Sequence, residues 1–371
     1  MTVNNTTNDN ARNSSYSQSG GKKFRRIASL TYQKLTTNTN EHLIPKTTSS
    51  VTNYPHNTSS QVLIVNSEYP WLRLPPTPQL PYPHHGQYAQ INNISIWYTI
   101  YGPKNGAPVL FLHGGLSKSD YWGLQVRQLQ KTYKCILMDS RAQGRSSSSS
   151  ANITYDLMTS DVVSLLNYLG FSKVHLVGWS DGANIGLNLA MNHPDRLYSL
   201  FAFGANYHPS SGNDTSIPPV FAAYLERTQA EYEAFNPNKS YEILFNDLLT
   251  MWSIYPNWTK VDFEKIPLDL PVWIVDGDHD EVVSREQPDT MASWIRQAGE
   301  LILPGTSHFA FIQEPTRFTT ALEEFLTEVT KTTSCSNYRF LRSNSCLGIS
   351  ADSFYTLVLI FVFRWMLEYA G

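Results

Sequence analysis

The chain has 371 residues, 41% of them hydrophobic, and a formal net charge of −3. That length and apolar content allow a sizeable buried core and up to two or three domains. The near-neutral balance excludes a bulk electrostatic pull toward nucleic acid or acidic lipid, so no nucleic-acid partner is expected.

The residue types are unevenly spread, and one large domain with two appendages is expected. Residues 1–60 are dominated by Asn, Ser, Thr and Gln. Such a segment cannot bury enough apolar surface to offset its ordering entropy and reads as disordered. Its cluster Lys22-Lys23-Phe24-Arg25-Arg26 lies in an acid-poor stretch, as in mitochondrial transit segments. No apolar run follows Met1, which argues against a secretory signal. Residues 61–84 are a Pro-rich linker. His84-His85 lie at its end, without the spacing of a zinc site.

Between residues 85 and 331, short apolar runs alternate with amphipathic helical stretches. This is the pattern of an α/β fold with a mostly parallel central sheet and helices on both faces. Ile91–Tyr101 alternates over two short strands with a turn at Asn92-Asn93. Val109–Leu112 is a fully apolar strand ending at His113-Gly114-Gly115, and Cys135–Met138 is another ending at Asp139. A helix follows with Met158, Val162, Leu165, Leu166 and Leu169 on one face, and Gly170 stands where a helix C-terminal glycine belongs. Val174–Val177 leads into Gly178-Trp179-Ser180-Asp181-Gly182, and the next helix stops before Pro194. Leu200–Phe203, Val272–Val275 and Leu301–Leu303 are further strands. Phe318, Leu322, Phe325, Leu326 and Val329 mark a closing helix.

From about 207 to 269 no strand pattern appears. Two helical stretches, about Pro219–Phe235 and Tyr241–Ile254, are rich in Tyr, Phe and Trp. Inserted ahead of the last strands, they form a helical cap over the strand C-terminal ends, where ligands bind in open α/β sheets. Leu225, Tyr232, Tyr241, Met251 and Trp252 are its candidate pocket residues, and core packing is the favoured role for any one of them.

Residues 332–371 are a C-terminal extension with the apolar run Phe354–Phe363, followed by Arg364. The run is short for a bilayer span, so membrane association through this tail is a minority reading. Neither end carries a convincing address, and the default compartment is cytoplasmic. Cys135 falls in a strand and reads as core; Cys335 and Cys346 would pair only in an oxidising compartment. The Asn-x-Ser/Thr triplets at Asn57, Asn93, Asn152 and Asn257 follow from composition. No metal-ligand cluster, P-loop or dinucleotide fingerprint is present, so no metal and no cofactor are expected.

The chemistry concentrates on Ser180. A serine between two glycines, after a strand and before a helix, sits on a strained turn with its hydroxyl clear of the sheet. A serine hydroxyl needs a base and a group to orient that base. His308, in the loop after Leu301–Leu303, has the position of the base. Asp280, past the turn glycine of Asp276-Gly277-Asp278-His279-Asp280, is the favoured acid, with Asp278 next. A tetrahedral intermediate needs backbone N–H donors: Asp181 supplies one, and Gly115, or else Leu116, the other. Trp179, Leu116 and Asp181 are the candidate substrate contacts.

His113-Gly114-Gly115, Asp139-Ser140-Arg141-Ala142-Gln143-Gly144-Arg145-Ser146, Gly178–Gly182, Gly277–Asp280 and Ser307-His308, in that order, resemble the α/β-hydrolase superfamily over about residues 85–330. One departure is Ala142-Gln143-Gly144, where relatives often carry Gly-His-Gly. The resemblance implies the α/β-hydrolase fold and a metal-free serine hydrolase acting on a small-molecule ester, thioester or lactone. A serine nucleophile sets the chain apart from the epoxide hydrolases and dehalogenases of this fold, which use an aspartate. Hormone receptors on the same scaffold also carry complete triads, so a ligand-binding protein with little turnover is the alternative. Gly178–Gly182 with Phe203-Gly204-Ala205-Asn206 is further similar to the valacyclovir hydrolase group. That likeness implies an amine-recognising Asp181; the other reading is that Asp181 shapes the turn or caps the helix.

Overall fold

A computed structural model describes residues 69–341 except 83, 210–216 and 239, with side chains as far as residue 330. Expectations for residues 1–60, for 61–68 of the linker, for the side chain of Cys335, for Cys346 and for the Phe354–Phe363 run lie outside the described residues.

The sheet has eight strands: β1 Gln87–Ile91, β2 Ile94–Tyr101, β3 Pro108–Leu112, β4 Lys134–Met138, β5 Val174–Trp179, β6 Leu197–Phe203, β7 Val272–Gly277 and β8 Gly299–Leu303. Their spatial order is β1-β2-β4-β3-β5-β6-β7-β8. The β1–β2 and β2–β4 pairs are antiparallel, and every pair from β4 to β8 is parallel. The hairpin turn is made by Asn92 and Asn93, both at positive φ (47° and 61°). Asparagine tolerates that backbone better than most residues, which explains why this dipeptide joins two alternating strands.

The central strands read as apolar runs because both their faces are covered. Val109 to Leu112, Leu176, Val177, and Leu200 to Phe203 are wholly buried. The covering helices are α1 Gly123–Leu129, α2 Tyr155–Leu169, α3 Asp181–Asn192, α7 Glu286–Trp294 and the first turns of α9 Pro315–Leu341. The α2 helix starts at Thr154, whose hydroxyl accepts the Leu157 N–H at 3.1 Å, and ends on Gly170 at φ 76°. That cap and that glycine delimit the helix expected from the apolar stripe. The α9 helix carries buried Phe318, Leu322 and Phe325 and runs to Leu341, past residue 331. The chain divides between Phe325 and Leu326; within the second unit the Thr330 hydroxyl donates to the Leu326 carbonyl.

Between β6 and β7 comes the helical insertion: α4 Pro219–Phe235, α5 Tyr241–Trp252 and the short α6 Lys260–Phe263. Its own core holds Leu225, Tyr232, Tyr241, Leu248 and Met251. Among the side chains that fasten it to the sheet domain is Asn236. Just past α4, it donates from Nδ2 toward the carbonyls of Ala142 (3.3 Å), Gly144 (3.0 Å) and Ser146 (3.0 Å). The segment before β1 also touches it: the Arg227 guanidinium donates to the carbonyls of Leu74 (2.9 Å) and Pro75 (2.6 Å).

Parallel register fixes what this scaffold can present. Leu112 pairs with Gly178, Gly178 with Ala202, Phe203 with Val275 and Gly277 with Leu303. The C-terminal ends of β3, β5, β6, β7 and β8 are therefore level, and the loops that leave them share one edge of the sheet. The short α8 Ala310–Gln313 follows the last of these loops.

Candidate active site

Ser180 stands between β5 and α3 with φ 54° and ψ −118°, a conformation that L-residues rarely hold. Two close approaches enforce it. A Cβ on Gly178 would lie 2.4 Å from the Gly182 carbonyl oxygen, and one on Gly182 would lie 2.3 Å from the Leu112 oxygen. Only glycines fit on either side, so the turn is built from strand packing as well as from its own torsions. The Ser180 N–H donates to the Phe203 carbonyl at 2.9 Å, anchoring the turn to β6.

Ser180 and His308 line the same cavity, of about 110 Å³, with Gly115, Tyr155, Trp179 and Asp181. Asn206, Phe221, Tyr224, Trp252, Tyr255 and Val282 complete much of its wall. The volume holds several water molecules, on the scale of a small acyl group. The described hydrogen bonds include none from the Ser180 hydroxyl, a looseness common before substrate arrives.

His308 is 2% exposed, and its Nδ1 lies 2.6 Å from Asp280 Oδ2. A ring whose Nδ1–H donates to a carboxylate leaves Nε2 as the acceptor, the tautomer a general base requires. Burial alone lowers the His308 pKa, but the Asp280 charge, its hydrogen bond and the Glu281 and Asp181 charges outweigh it, and the net shift is upward. For Asp280, burial raises the pKa, while His308 and donated hydrogen bonds pull it below the usual carboxylate range. Asp280 Oδ1 also accepts the N–H groups of Val282 and Val283, both at 2.7 Å. Asp278 instead accepts the Thr306 N–H at 3.1 Å, a loop-shaping contact.

Two further carboxyls crowd this pair. Asp276 is driven well above its ordinary range by burial and by the Asp280 charge. Glu281 Oε2 accepts the His308 N–H at 3.2 Å, and burial followed by the Asp280 charge pushes its carboxyl up to about 7.

Asp181 is the first residue of α3, where backbone N–H groups have no intrahelical acceptor. Its carboxylate is 4% exposed. Oδ1 accepts the Tyr155 hydroxyl at 2.7 Å and the Trp252 indole N–H at 2.9 Å; the indole is 3.1 Å from Oδ2. Burial raises its pKa to about 6, against the lowering effect of those two donors and of His308. Tyr155 is in turn fixed by Asn184 Nδ2 at 3.1 Å, and Asn184 Nδ2 donates to Asn206 Oδ1 at 2.7 Å.

Gly115 borders the same space. A Cβ there would meet Trp252 Cζ2 at 2.3 Å and Asp181 Oδ2 at 2.6 Å. Leu116 differs from its alternatives in the sequence reading. Its side chain is buried away from the cavity wall, and its N–H donates to Gln143 Oε1 at 2.7 Å, which leaves Gly115 as the candidate donor of the two. Trp179 lines the cavity at 1% exposure and stacks or packs against Tyr121, Tyr224 and Phe311, which makes it chiefly a wall. Of the insertion residues singled out from sequence, Trp252 reaches the cavity and Leu225, Tyr232, Tyr241 and Met251 lie in the insertion core.

The loop Asp139–Ser146 turns out to support this edge. Asp139 is fully buried and accepts from the Ser119 hydroxyl at 2.6 Å and the Arg145 guanidinium at 2.8 Å. Arg145 also pairs with Asp120. Ala142 is held at φ 63° and Gly144 at φ 52°, so the departure from Gly-His-Gly places a methyl-bearing residue in the left-handed region. Gln143 then gains a role that a loop of purely local structure would not have, since it reaches Leu116. Sequence reasoning gave no role to Tyr155, Tyr224 and Glu281 and named Asn206 only within a motif; Glu281 had a signal in its place next to Asp280.

The comparisons with known proteins agree with this architecture. A family model described as the alpha/beta hydrolase fold matches residues 107–241. RutD of Caulobacter sp. (strain K31), a candidate carbamate hydrolase, is 38% identical over 101 residues, which cover 27% of this chain and 38% of that protein. The chain thus spans about two fifths of the length of the RutD proteins it matches. The human serine hydrolase BPHL is 24% identical over 247 residues, covering 64% of this chain and 84% of that protein. The solved enol-lactonase of Burkholderia xenovorans LB400 superimposes with a TM-score of 0.55 at 21% identity, covering 65% of this chain and 100% of that one. The chain has the α/β-hydrolase fold, and its sequence resembles that superfamily. Among the described residues, no helix is long and apolar enough to cross a membrane.

Proposed function

We propose that this α/β-hydrolase-fold chain is a serine hydrolase that cleaves small carboxylic esters, thioesters or lactones through an acyl-enzyme on Ser180. One observation carries the reading: a serine at φ 54° faces a cavity that also holds His308, whose Nδ1 is 2.6 Å from Asp280. A strained backbone persists only where its surroundings over-determine it, and such sites cluster at function.

In this scheme His308 Nε2 takes the Ser180 proton as Oγ attacks the carbonyl carbon. Asp280 keeps the imidazolium oriented and offsets its charge. The carbonyl oxygen becomes an oxyanion, bound by the N–H groups of Gly115 and Asp181. Collapse of the intermediate breaks the bond to the leaving oxygen or sulfur, which receives the proton from His308. Water, deprotonated by His308, then attacks the acyl-enzyme; the Ser180 oxygen leaves and regains its proton. The insertion acts as the cap that closes the substrate pocket, and its aromatic lining suits an apolar acyl group.

A narrower reading concerns the substrate's charge. Asp181 is a buried carboxylate on the cavity wall whose described hydrogen-bond partners, Tyr155 and Trp252, are both neutral. A substrate ammonium within about 4–6 Å would be favoured by that charge, which supports amino-acid esters within the wider class.

Fluorophosphonate treatment followed by mass spectrometry tests the first reading. An adduct on Ser180 is expected, and folded protein that takes up none overturns it. Slow single turnover with tight retention of the ligand, across a panel of p-nitrophenyl and amino-acid esters, would mark a binding protein instead. For the narrower reading, matched esters with and without a free α-amine are compared on wild type and Asp181→Ala. Selective loss on the amine-bearing esters is expected; equal loss on both sinks it.

A further inference from the structure

Gly114 and Gly115 have no side chains with which to fix their own peptide planes, yet an oxyanion donor must be aimed before substrate arrives. Their orientation is set by groups donated from elsewhere. The Gly114 carbonyl accepts from His113 Nδ1 at 2.7 Å and from the Ser117 N–H at 3.3 Å. His113 is able to donate there because its Nε2 accepts the Ser140 N–H at 2.9 Å, and burial keeps the ring neutral by lowering its pKa. On the next peptide, Gln143 holds the Leu116 N–H, and the Gly115 carbonyl accepts the Tyr224 hydroxyl at 2.6 Å.

Tyr224 is the one of these partners that belongs to the insertion, on α4. The second residue proposed as an oxyanion donor is held in the same way. Trp252, at the end of α5, donates its indole N–H to the Asp181 carboxylate. Each long helix of the insertion thus reaches one of the two oxyanion residues with one hydrogen bond. The Tyr224 contact is deeply packed: the ring is 2% exposed and lies against Trp179 and Phe309.

We infer that the insertion is part of the catalytic scaffold, with Tyr224 as a positioning residue that fixes the Gly115–Leu116 peptide flanking the donor Gly115 N–H and Trp252 as a weaker partner that steadies Asp181. Seating of the insertion and stabilisation of the oxyanion are then one event. An insertion displaced from the sheet domain leaves Ser180, His308 and Asp280 in register but leaves the Gly115–Leu116 peptide held by Gln143 alone. This inference rests on the serine-hydrolase reading above and says where that activity is controlled.

The test is Tyr224→Phe, which removes the hydroxyl and keeps the ring. Measured on full-length protein are kcat and KM for a p-nitrophenyl ester, inhibition by an alkyl boronic acid that forms a tetrahedral adduct on serine, and Tm. A loss of about tenfold to a hundredfold in kcat is expected, the scale on which a misplacement of roughly 1 Å acts. Boronate affinity should fall by the same factor, with KM and Tm unchanged. Trp252→Phe should do the same to a smaller extent, and it gives an independent reading if the first variant does not fold. Retention of kcat and boronate affinity by both variants overturns the inference, as does a loss accompanied by equal changes in KM and Tm. A wild-type protein that forms no fluorophosphonate adduct would instead overturn the underlying reading, so the two failures are distinct.

Discussion

The cavity has two walls of different construction. On the sheet side, Ser180, Asp280 and His308 leave the ends of β5, β7 and β8, and their geometry follows from strand register and from glycines that admit no side chain. On the insertion side, Tyr224 and Trp252 reach the same space from helices tied down by side-chain hydrogen bonds. Backbone register resists a single substitution, whereas a side-chain contact is removed by one. Loss of chemistry with the fold intact is therefore expected on the sheet side, and graded effects on the insertion side.

The sharpest way to break this contrast is Ser180→Gly. Activity should fall by about 10⁶-fold in kcat, as when a serine nucleophile is removed. Stability should rise by about 1 kcal/mol, because glycine relieves a backbone that costs about 1–3 kcal/mol at φ 54°. Chemical denaturation read beside ester turnover checks both signs, and a less stable glycine variant would deny that the turn is strained. Next comes Asp280→Asn, expected to lower kcat by about 10⁴-fold through the wrong His308 tautomer while leaving fluorophosphonate-accessible Ser180 folded. A loss below tenfold would assign the orienting role to another of the neighbouring carboxyls.

On the insertion side, Asn236→Ala removes a donor shared among three carbonyls. Unfolding free energy should drop by about 1–3 kcal/mol, since buried carbonyls lose their partner. Proteolysis should begin in α4 or α5 before it reaches the sheet domain; simultaneous cleavage of both would erase the distinction between the walls.

The smallest effect is electrostatic. His308 must be neutral to act as a base and its pKa is raised, so kcat/KM should climb with pH through a midpoint above 6.5. Asp181 is one of the charges raising it, and Asp181→Asn should move that midpoint down. The same carboxyl titrates at about 6 in the folded chain against 3.8 for the free group. A folded-state pKa raised in this way means that stability declines as pH rises from about 4 to about 6. The Asn variant should therefore gain by about 2 kcal/mol at pH 7 relative to pH 4, read by denaturation at both values.

The two walls were also unequally legible in the sequence. Apolar runs of β3, β5, β6 and β7, the stripe of α2 and the glycine after it mark elements whose periodicity survives any tertiary context. The order of Ser180, Asp280 and His308 follows from the same elements, because each stands just past a strand. The α1, α6, α7 and α8 helices were missed, being short and without a clear apolar stripe. In the insertion, the helices were visible but their facing was not. Trp252 and Met251 are neighbours in an equally apolar stretch, yet one meets Asp181 and the other the insertion core. Nothing local separates Tyr224 from Leu225. Only the path of the chain around them decides which one sees the cavity.

The Asn236 contact has a bearing on traffic. The far end of α4 is fastened to the Ala142–Ser146 loop, so that edge of the insertion is shut. Tyr255, just beyond α5, lines the cavity and is 44% exposed. Under the proposed activity, the way into the cavity would run past Tyr255, and that threshold would set the breadth of substrates as much as the room behind it.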